Sequence, residues 1–405
     1  MKLFSWFLIH FFNFRNKIKQ TVSFQTPIET LLQDIYLISN PLEDIVNSKS
    51  CRRNQVKHLI VNLYLILEVL MMIYWIIRPV DDPISLMTGS YFAALGVTGK
   101  MVYLAIICQT VSTVINRFFF YLAETTNSLD FLLDPLDYIS RDDNSNPHLK
   151  KLKDMANRTK EINIERFNQN LAANMFVTIT CILCVKKYGT EYIGSYILGW
   201  LLHAVQAWFF MNGNILTGHV WKVSLAFLEM RLLMIRDKIN ENNPDFTLIL
   251  QELDSYQRQL LRFDRFLRGF LLASFTTCTP LFCTMFYNMF YGKFTEGGSL
   301  LPVLIGSLIP ILLIENLTPM SRVANIWYLS MTLHPLLIKS VVKARDSITL
   351  EEKMKVLKWM KALTDDDHPL SPITITGEPL TPNCFFHYVM GIILNFLMTI
   401  DFLRE

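Results

Sequence analysis

The alternation of long apolar runs with basic stretches leaves this chain less freedom than any other feature. Seven apolar runs, 58–77, 84–112, 170–185, 192–215, 269–291, 299–321 and 383–403, punctuate the 405 residues. A helix needs about 20 apolar residues to cross the hydrocarbon of a bilayer, and every run except 170–185 reaches that length. The stretches 1–57, 113–169, 216–268 and 322–380 hold eight Lys or Arg each, thirty-two of the thirty-eight in the chain. The short links at the other ends of the runs hold only Arg78, Lys186, Lys187, Lys293 and the C-terminal Arg404, and Lys100 lies inside a run. Basic segments stay on the cytoplasmic side of a membrane. The pattern therefore predicts an all-α membrane protein with seven transmembrane helices, a cytoplasmic N-terminus and an extracellular C-terminus, the reverse of a G-protein-coupled receptor.

The predicted organisation is a cytoplasmic N-terminal region, 1–57, followed by a seven-helix transmembrane domain, 58–403, whose last helix is 383–403. Its inner stretches 113–169, 216–268 and 322–380 carry helical periodicity, as in Phe246, Leu248, Ile249, Leu253, Tyr256 and Leu260. Such stretches extend the helices into the cytoplasm as a bundled anchor, or lie flat on the inner leaflet. The outer links RPVDDP, KKYGTEY and GKFTEGG are too short to fold by themselves. A rival span, 323–342, would make eight crossings, but it carries Asn325, His334, Pro335 and Lys339, which are costly in lipid.

Three segments read as breaks. RDDNSNP (141–147) and NENNPD (240–245) are loops, because Asn, Asp and Pro supply turns and stop helices. In the approach to the last helix, Ile373 to Thr376 alternate like a short strand, Gly377 turns, and Thr381 with Pro382 makes an N-cap followed by proline at the first helical position. The opening MKLFSWFLIHFF is a signal peptide or a retained interfacial helix; it lacks a small-residue cleavage site and is followed by RNKIK, which favours the helix.

Composition narrows the function. The chain is 51% hydrophobic and 13% aromatic, with a net charge of only +3, which fits contact with membrane lipids and gives no basis for nucleic-acid binding. No metalloprotease, nucleophile-elbow or phosphate-loop motif occurs, the eight His are not spaced as metal ligands, and no cofactor or metal is expected. Cys181 and Cys184 form a C-x-x-C within a span, where packing is the natural role.

Glu68 and Lys100 are ionisable groups inside adjacent runs, and paired charges at that depth would form an ion pair, structural or functional. Tyr196, Trp200 and His203 fall at i, i+4 and i+7 on one face of the fourth run. Ser90, Tyr91, Tyr287, Asn288 and Ser307 occupy the same outer half and would complete a pocket of aromatic walls with a few polar groups; ordinary packing is the alternative. In the last run Phe386, Met390, Leu394 and Leu397 recur at helical spacing. If several copies met around an axis, this stripe would form an apolar constriction that gates ions by dewetting. Ile392 is expected on the lipid face.

At that last helix the chain resembles the insect-type seven-transmembrane chemoreceptor channels, the odorant and gustatory receptors and gustatory-receptor-like proteins. Their signature, Thr-Tyr, five hydrophobic residues and Gln-Phe, aligns with Leu394-Asn395, five residues and Asp401-Phe402. Spacing, the final Phe and the position near the C-terminus match, while Thr, Tyr and Gln are replaced. The gross design, from chain length to the turn-rich approach to a terminal helix, is similar along almost the whole sequence. The resemblance implies a chemosensory receptor of the plasma membrane rather than an enzyme. It implies a homo- or hetero-tetrameric, ligand-gated, non-selective cation channel that binds a small molecule in the outer half of each subunit and carries its gate at Phe386 and Met390. A G-protein-coupled-type receptor, and then a transporter or membrane enzyme, are the competing classes; the charge bias, the absence of N-P-x-x-Y in the last run and the absence of inverted repeats count against them.

Overall fold

The computed structural model describes residues 51–79, 82–90, 95, 97–125, 147–156, 159–241, 244–291, 300–344, 348–364, 374–375 and 378–402. Helix α1 (Cys51–Ile77) buries Val61, Leu65, Glu68, Met72 and Trp75 at alternating spacings of three and four, the stripe of a helix lying on a bundle. Leu59, Leu63, Leu67 and Leu70 face outward, an apolar exterior that hydrocarbon accepts and water does not. Among the described residues, Leu59–Ile77 and Asn170–Tyr188 are long and apolar enough to cross a membrane; Gly99–Ile115, Ile193–Val205 and Pro382–Leu394 are shorter apolar segments.

The run 84–112 is not one helix. A short α2 (Pro83–Met87) is capped by Asp82, whose carboxylate accepts from the Ser85 N–H at 3.3 Å, and has proline at its first position. It ends in a turn at Thr88 and Gly89, the latter at φ +93°. The next helix, α3 (Val97–Thr125), starts thirteen residues later than the hydropathy boundary at 84 and packs along α1. Hydropathy is blind to a turn built from Thr and Gly inside an apolar stretch.

Helix α4 (Pro147–Ala156) leads to α5 (Thr159–Tyr188). Gly189, at φ +82°, donates its N–H to Val185 O at 2.9 Å and closes α5 with a left-handed cap before α6 (Ile193–Ile239) begins. Three helices dominate the molecule: α6 with 47 residues, α7 (Phe246–Tyr291) with 46 and α8 (Leu300–Lys343) with 44. At 1.5 Å per residue each runs about 65–70 Å, roughly twice the hydrocarbon thickness. The rival span 323–342 is thus the continuation of α8, with Val323, Ile326, Leu333 and Leu337 buried against its neighbours.

Two cores follow. The upper one, at the end carrying Arg78 and Gly189, gathers Met72, Trp75, Tyr103, Phe176, Cys184, Tyr196 and Phe282. The lower one gathers Leu228, Leu232, Ile235, Leu253, Tyr256, Leu260, Phe263 and Leu337. At the lowest point α6 ends at Asn240, and Asp245 caps α7 by accepting from the Leu248 N–H at 3.0 Å. Helix α9 (Leu350–Thr364) opens with a capping box: Thr349 N–H donates to Glu352 at 3.0 Å and Glu352 N–H returns to the Thr349 hydroxyl at 3.3 Å. Glu352 also accepts from Thr247 at 2.8 Å, tying α9 to the start of α7.

The lower core is threaded by charge. Arg231, almost fully buried, donates to Glu252 and Gln259, both at 2.7 Å, and Lys238 reaches the same carboxylate at 3.3 Å. Partial burial works against the charged form of Glu252, but Arg231 and Lys238 outweigh it and hold the carboxyl below the ordinary value of 4.5.

The strands β1 (Thr374–Ile375) and β2 (Glu378–Pro379) pair antiparallel, Thr374 opposite Pro379. Helix α10 (Pro382–Phe402) follows at once. Thr381 accepts the Cys384 N–H on its hydroxyl at 3.1 Å and the Phe385 N–H on its carbonyl at 2.9 Å, the N-cap that the Thr-Pro pair predicts. Cys384 and Phe385 pack on the lower core, Ile392 lies in the upper one and Tyr388 touches both, so α10 rises along the bundle against α7 and α8.

Candidate functional site

Three helices bring one ring each to the upper core. Trp75 of α1 stacks on His203 of α6 with centroids 5.7 Å apart and planes at 21°. Tyr103 of α3 lies 5.1 Å from Trp75 and 6.3 Å from His203. All three are buried, and rings at these separations and tilts are in favourable aromatic contact. Above them the turn after α2 supplies hydroxyls: the Trp75 indole N–H donates to Thr88 Oγ1 at 2.9 Å, and Ser90 shares a 3.2 Å hydrogen bond with the Tyr103 phenol. His203 Nδ1 donates to Gly199 O at 3.0 Å, which fixes the ring on its own helix.

Ser90 and His203, singled out in the sequence, meet in this wall; Trp75, Tyr103 and Thr88 complete it and were not singled out. Tyr196 is fully buried in the same core, on the side where Cys181 Sγ approaches its carbonyl at 3.8 Å. Trp200 turns away, its indole N–H donating to Thr178 of α5 at 3.0 Å. Tyr91 and the side chains of Tyr287, Asn288 and Ser307 lie outside the described residues. The arrangement is a buried aromatic cluster with paired hydroxyls beside it; aromatic walls with a few polar groups are the usual lining of small-molecule sites.

Glu68 and Lys100 are not brought together. Lys100 Nζ donates to the Arg78 carbonyl at 2.8 Å, at the top of α1. Glu68 lies ten residues, about 15 Å, further down the same helix, hydrogen-bonded to Tyr64. The later start of α3 moves Lys100 up to the end of the bundle, and the pairing at matching depth fails for that reason. Among the described residues no group of three or more His, Cys, Asp or Glu is arranged to hold a metal ion.

Helix α10 divides sharply. Ile392 is 6% exposed and part of the upper core, which corrects its expected lipid-facing position. On the opposite side Phe386, at 60%, with Met390, Leu394 and Leu397, occupies the centre of the exposed arc. At 100° per residue these four fall within about 80° of one another.

Neither a protein-family model nor a curated protein matches the sequence. Among solved structures, the insect olfactory receptor OR5 from Machilis hrabei, in complex with eugenol, superposes with a TM-score of 0.60 at 12% identity, over 97% of this chain and 99% of that one. The chain has the fold of an insect olfactory receptor. The likeness read from the terminal helix and the gross design is therefore present in the whole architecture, from α1 to α10, despite the low identity.

Proposed function

We propose that the chain is a chemosensory receptor of the plasma membrane, a subunit of a ligand-gated, non-selective cation channel of the gustatory-receptor-like kind. The observation that carries this is the end-to-end likeness to a receptor solved with a small organic molecule, which spans almost the whole of both chains. The distribution of basic residues supports a cytoplasmic N-terminus, seven crossings and an extracellular C-terminus, with the lower core as a cytoplasmic anchor.

Four copies, of this chain or of related subunits, would bring α10 to a common axis. Phe386, Met390, Leu394 and Leu397 then form the dry constriction that ligand binding opens. The ligand is a small organic molecule held in the upper bundle, with Ser90 and His203 beside Trp75 and Tyr103, Tyr196 and Trp200 on the α5 side, and Tyr91, Tyr287, Asn288 and Ser307 as further lining. The test is whole-cell recording from cells expressing the chain alone or with a related subunit, against a chemical panel, with a C-terminal tag stained on unpermeabilised cells. Evoked cation current and surface staining support the assignment; a tag reached only after permeabilisation overturns the topology.

A further inference from the structure

In the lower half of the molecule α4, α6 and α8 line a half-open cleft of about 40 Å³, room for an oxyanion head with any chain it carries lying in the open mouth. Its wall is built from α4, which sends Leu149 and Leu152 into the core and leaves Lys151 exposed at the rim. Leu152, Met155 and Leu233 make an apolar lining; Lys151, Glu229 and Arg322 supply charge, and His148, also lining, lies 3.1 Å from Asp237.

The charges are unevenly matched. Both oxygens of Glu229 are used, Oε2 by Arg322 Nη1 at 2.9 Å and Oε1 by Asn325 Nδ2 at 2.8 Å. That leaves the Nε–Nη2 edge of the guanidinium, the fork that grips an oxyanion with two parallel hydrogen bonds. Among the described residues Nη2 meets only a thioether, Met155 Sδ at 3.9 Å, and Nε is buried with no acceptor. A buried N–H without an acceptor is costly and is normally satisfied by a ligand or water. With Glu229 balancing Arg322, Lys151 leaves the cleft with one net positive charge.

We propose that this cleft binds an amphiphilic oxyanion of single charge: its head on the Arg322 fork and Lys151, its short apolar chain along Leu152, Met155 and Leu233. A soluble medium-chain carboxylate and the headgroup end of an acidic phospholipid offer the same chemistry. The site is separate from the aromatic wall, and the proposal does not rest on the chain's being a channel.

The experiment is calorimetric titration of the whole protein in nanodiscs of zwitterionic lipid, with octanoate, octan-1-ol and water-soluble dihexanoyl phosphatidate. Saturable binding of octanoate, at least ten-fold tighter than octan-1-ol, assigns the site to a soluble carboxylate. Saturation by the phosphatidate alone assigns it to a lipid headgroup. In either case Lys151→Ala should weaken binding three- to ten-fold, and Arg322→Lys, which keeps the charge and loses the fork, by ten-fold or more. Leu233→Trp fills the apolar lining with the charges intact and should abolish binding, so the question is decided even if Arg322→Lys does not fold. Octan-1-ol matching the anions, no saturation by either anion, or wild-type binding in Lys151→Ala and Leu233→Trp overturns the proposal.

Discussion

Gly89 and Gly199 meet backbone to backbone: a Cβ built on Gly199 would lie 2.6 Å from the Gly89 carbonyl oxygen, and one on Gly89 would lie 2.9 Å from Ser195 O. This contact seats the turn after α2 on α6, and with it Thr88 and Ser90 over the aromatic wall. Gly199→Ala must push backbone against backbone, which no rotamer change relieves, and should cost about 1–3 kcal/mol. Thermal unfolding of the purified protein, with Gly194→Ala as the comparison because a Cβ there meets nothing within 4 Å, reads this directly. Equal melting temperatures for the two variants would show that the turn does not rest on Gly199.

The separation of Glu68 from Lys100 has a measurable consequence. Residues without shared partners have additive effects, to within about 0.5 kcal/mol, so Glu68→Ala and Lys100→Ala should combine additively in folded yield or melting temperature. A double variant more stable than the sum of the singles would reveal a coupling that the Lys100 to Arg78 hydrogen bond does not provide.

Glu252 gives the lower core an acid-sensitive contact. Its folded carboxyl lies below the unfolded value near 4.5, so its contribution is complete above that value and is lost as pH falls through the lower folded one. Glu252→Gln should cost about 1–2 kcal/mol at neutral pH and should flatten the fall in melting temperature between pH 5 and pH 3. Parallel curves for variant and wild type would contradict the assignment.

Much of the fold is legible from local chemistry, because local rules make it. Thr381-Pro382 starts α10 where capping requires, Thr374 and Ile375 of the alternating stretch form half of a two-stranded ladder, and the Asn-Asp-Pro cluster after Ile239 separates α6 from α7. What fails is depth. Apolar residues continue through Thr88 and Gly89, so hydropathy joins α2 to α3, and Lys100 is put beside Glu68 when it belongs beside Arg78. Periodicity finds His203 and Tyr196 as one face of α6, yet it carries no sign that Trp75 and Tyr103 from two other helices close on that face. Such a meeting depends on how α1 and α3 cross α6, which is a property of packing. Ile392 fails similarly: an apolar helix does not declare in sequence which apolar side meets its own bundle.

The pore account rests on the opposite face of α10, and accessibility during conduction tests it most directly. Met390→Cys, recorded against the wild-type background of native cysteines, should render agonist-evoked current sensitive to a charged thiol reagent, because a tethered charge in a dry constriction alters conduction. Leu63→Cys, on the outward face of α1, should leave the current as in the wild type. Block at Met390→Cys with none at Leu63→Cys is the predicted result; normal evoked current through Met390→Cys after exhaustive reagent, with labelling verified by mass, would remove α10 from the ion path and contradict the account.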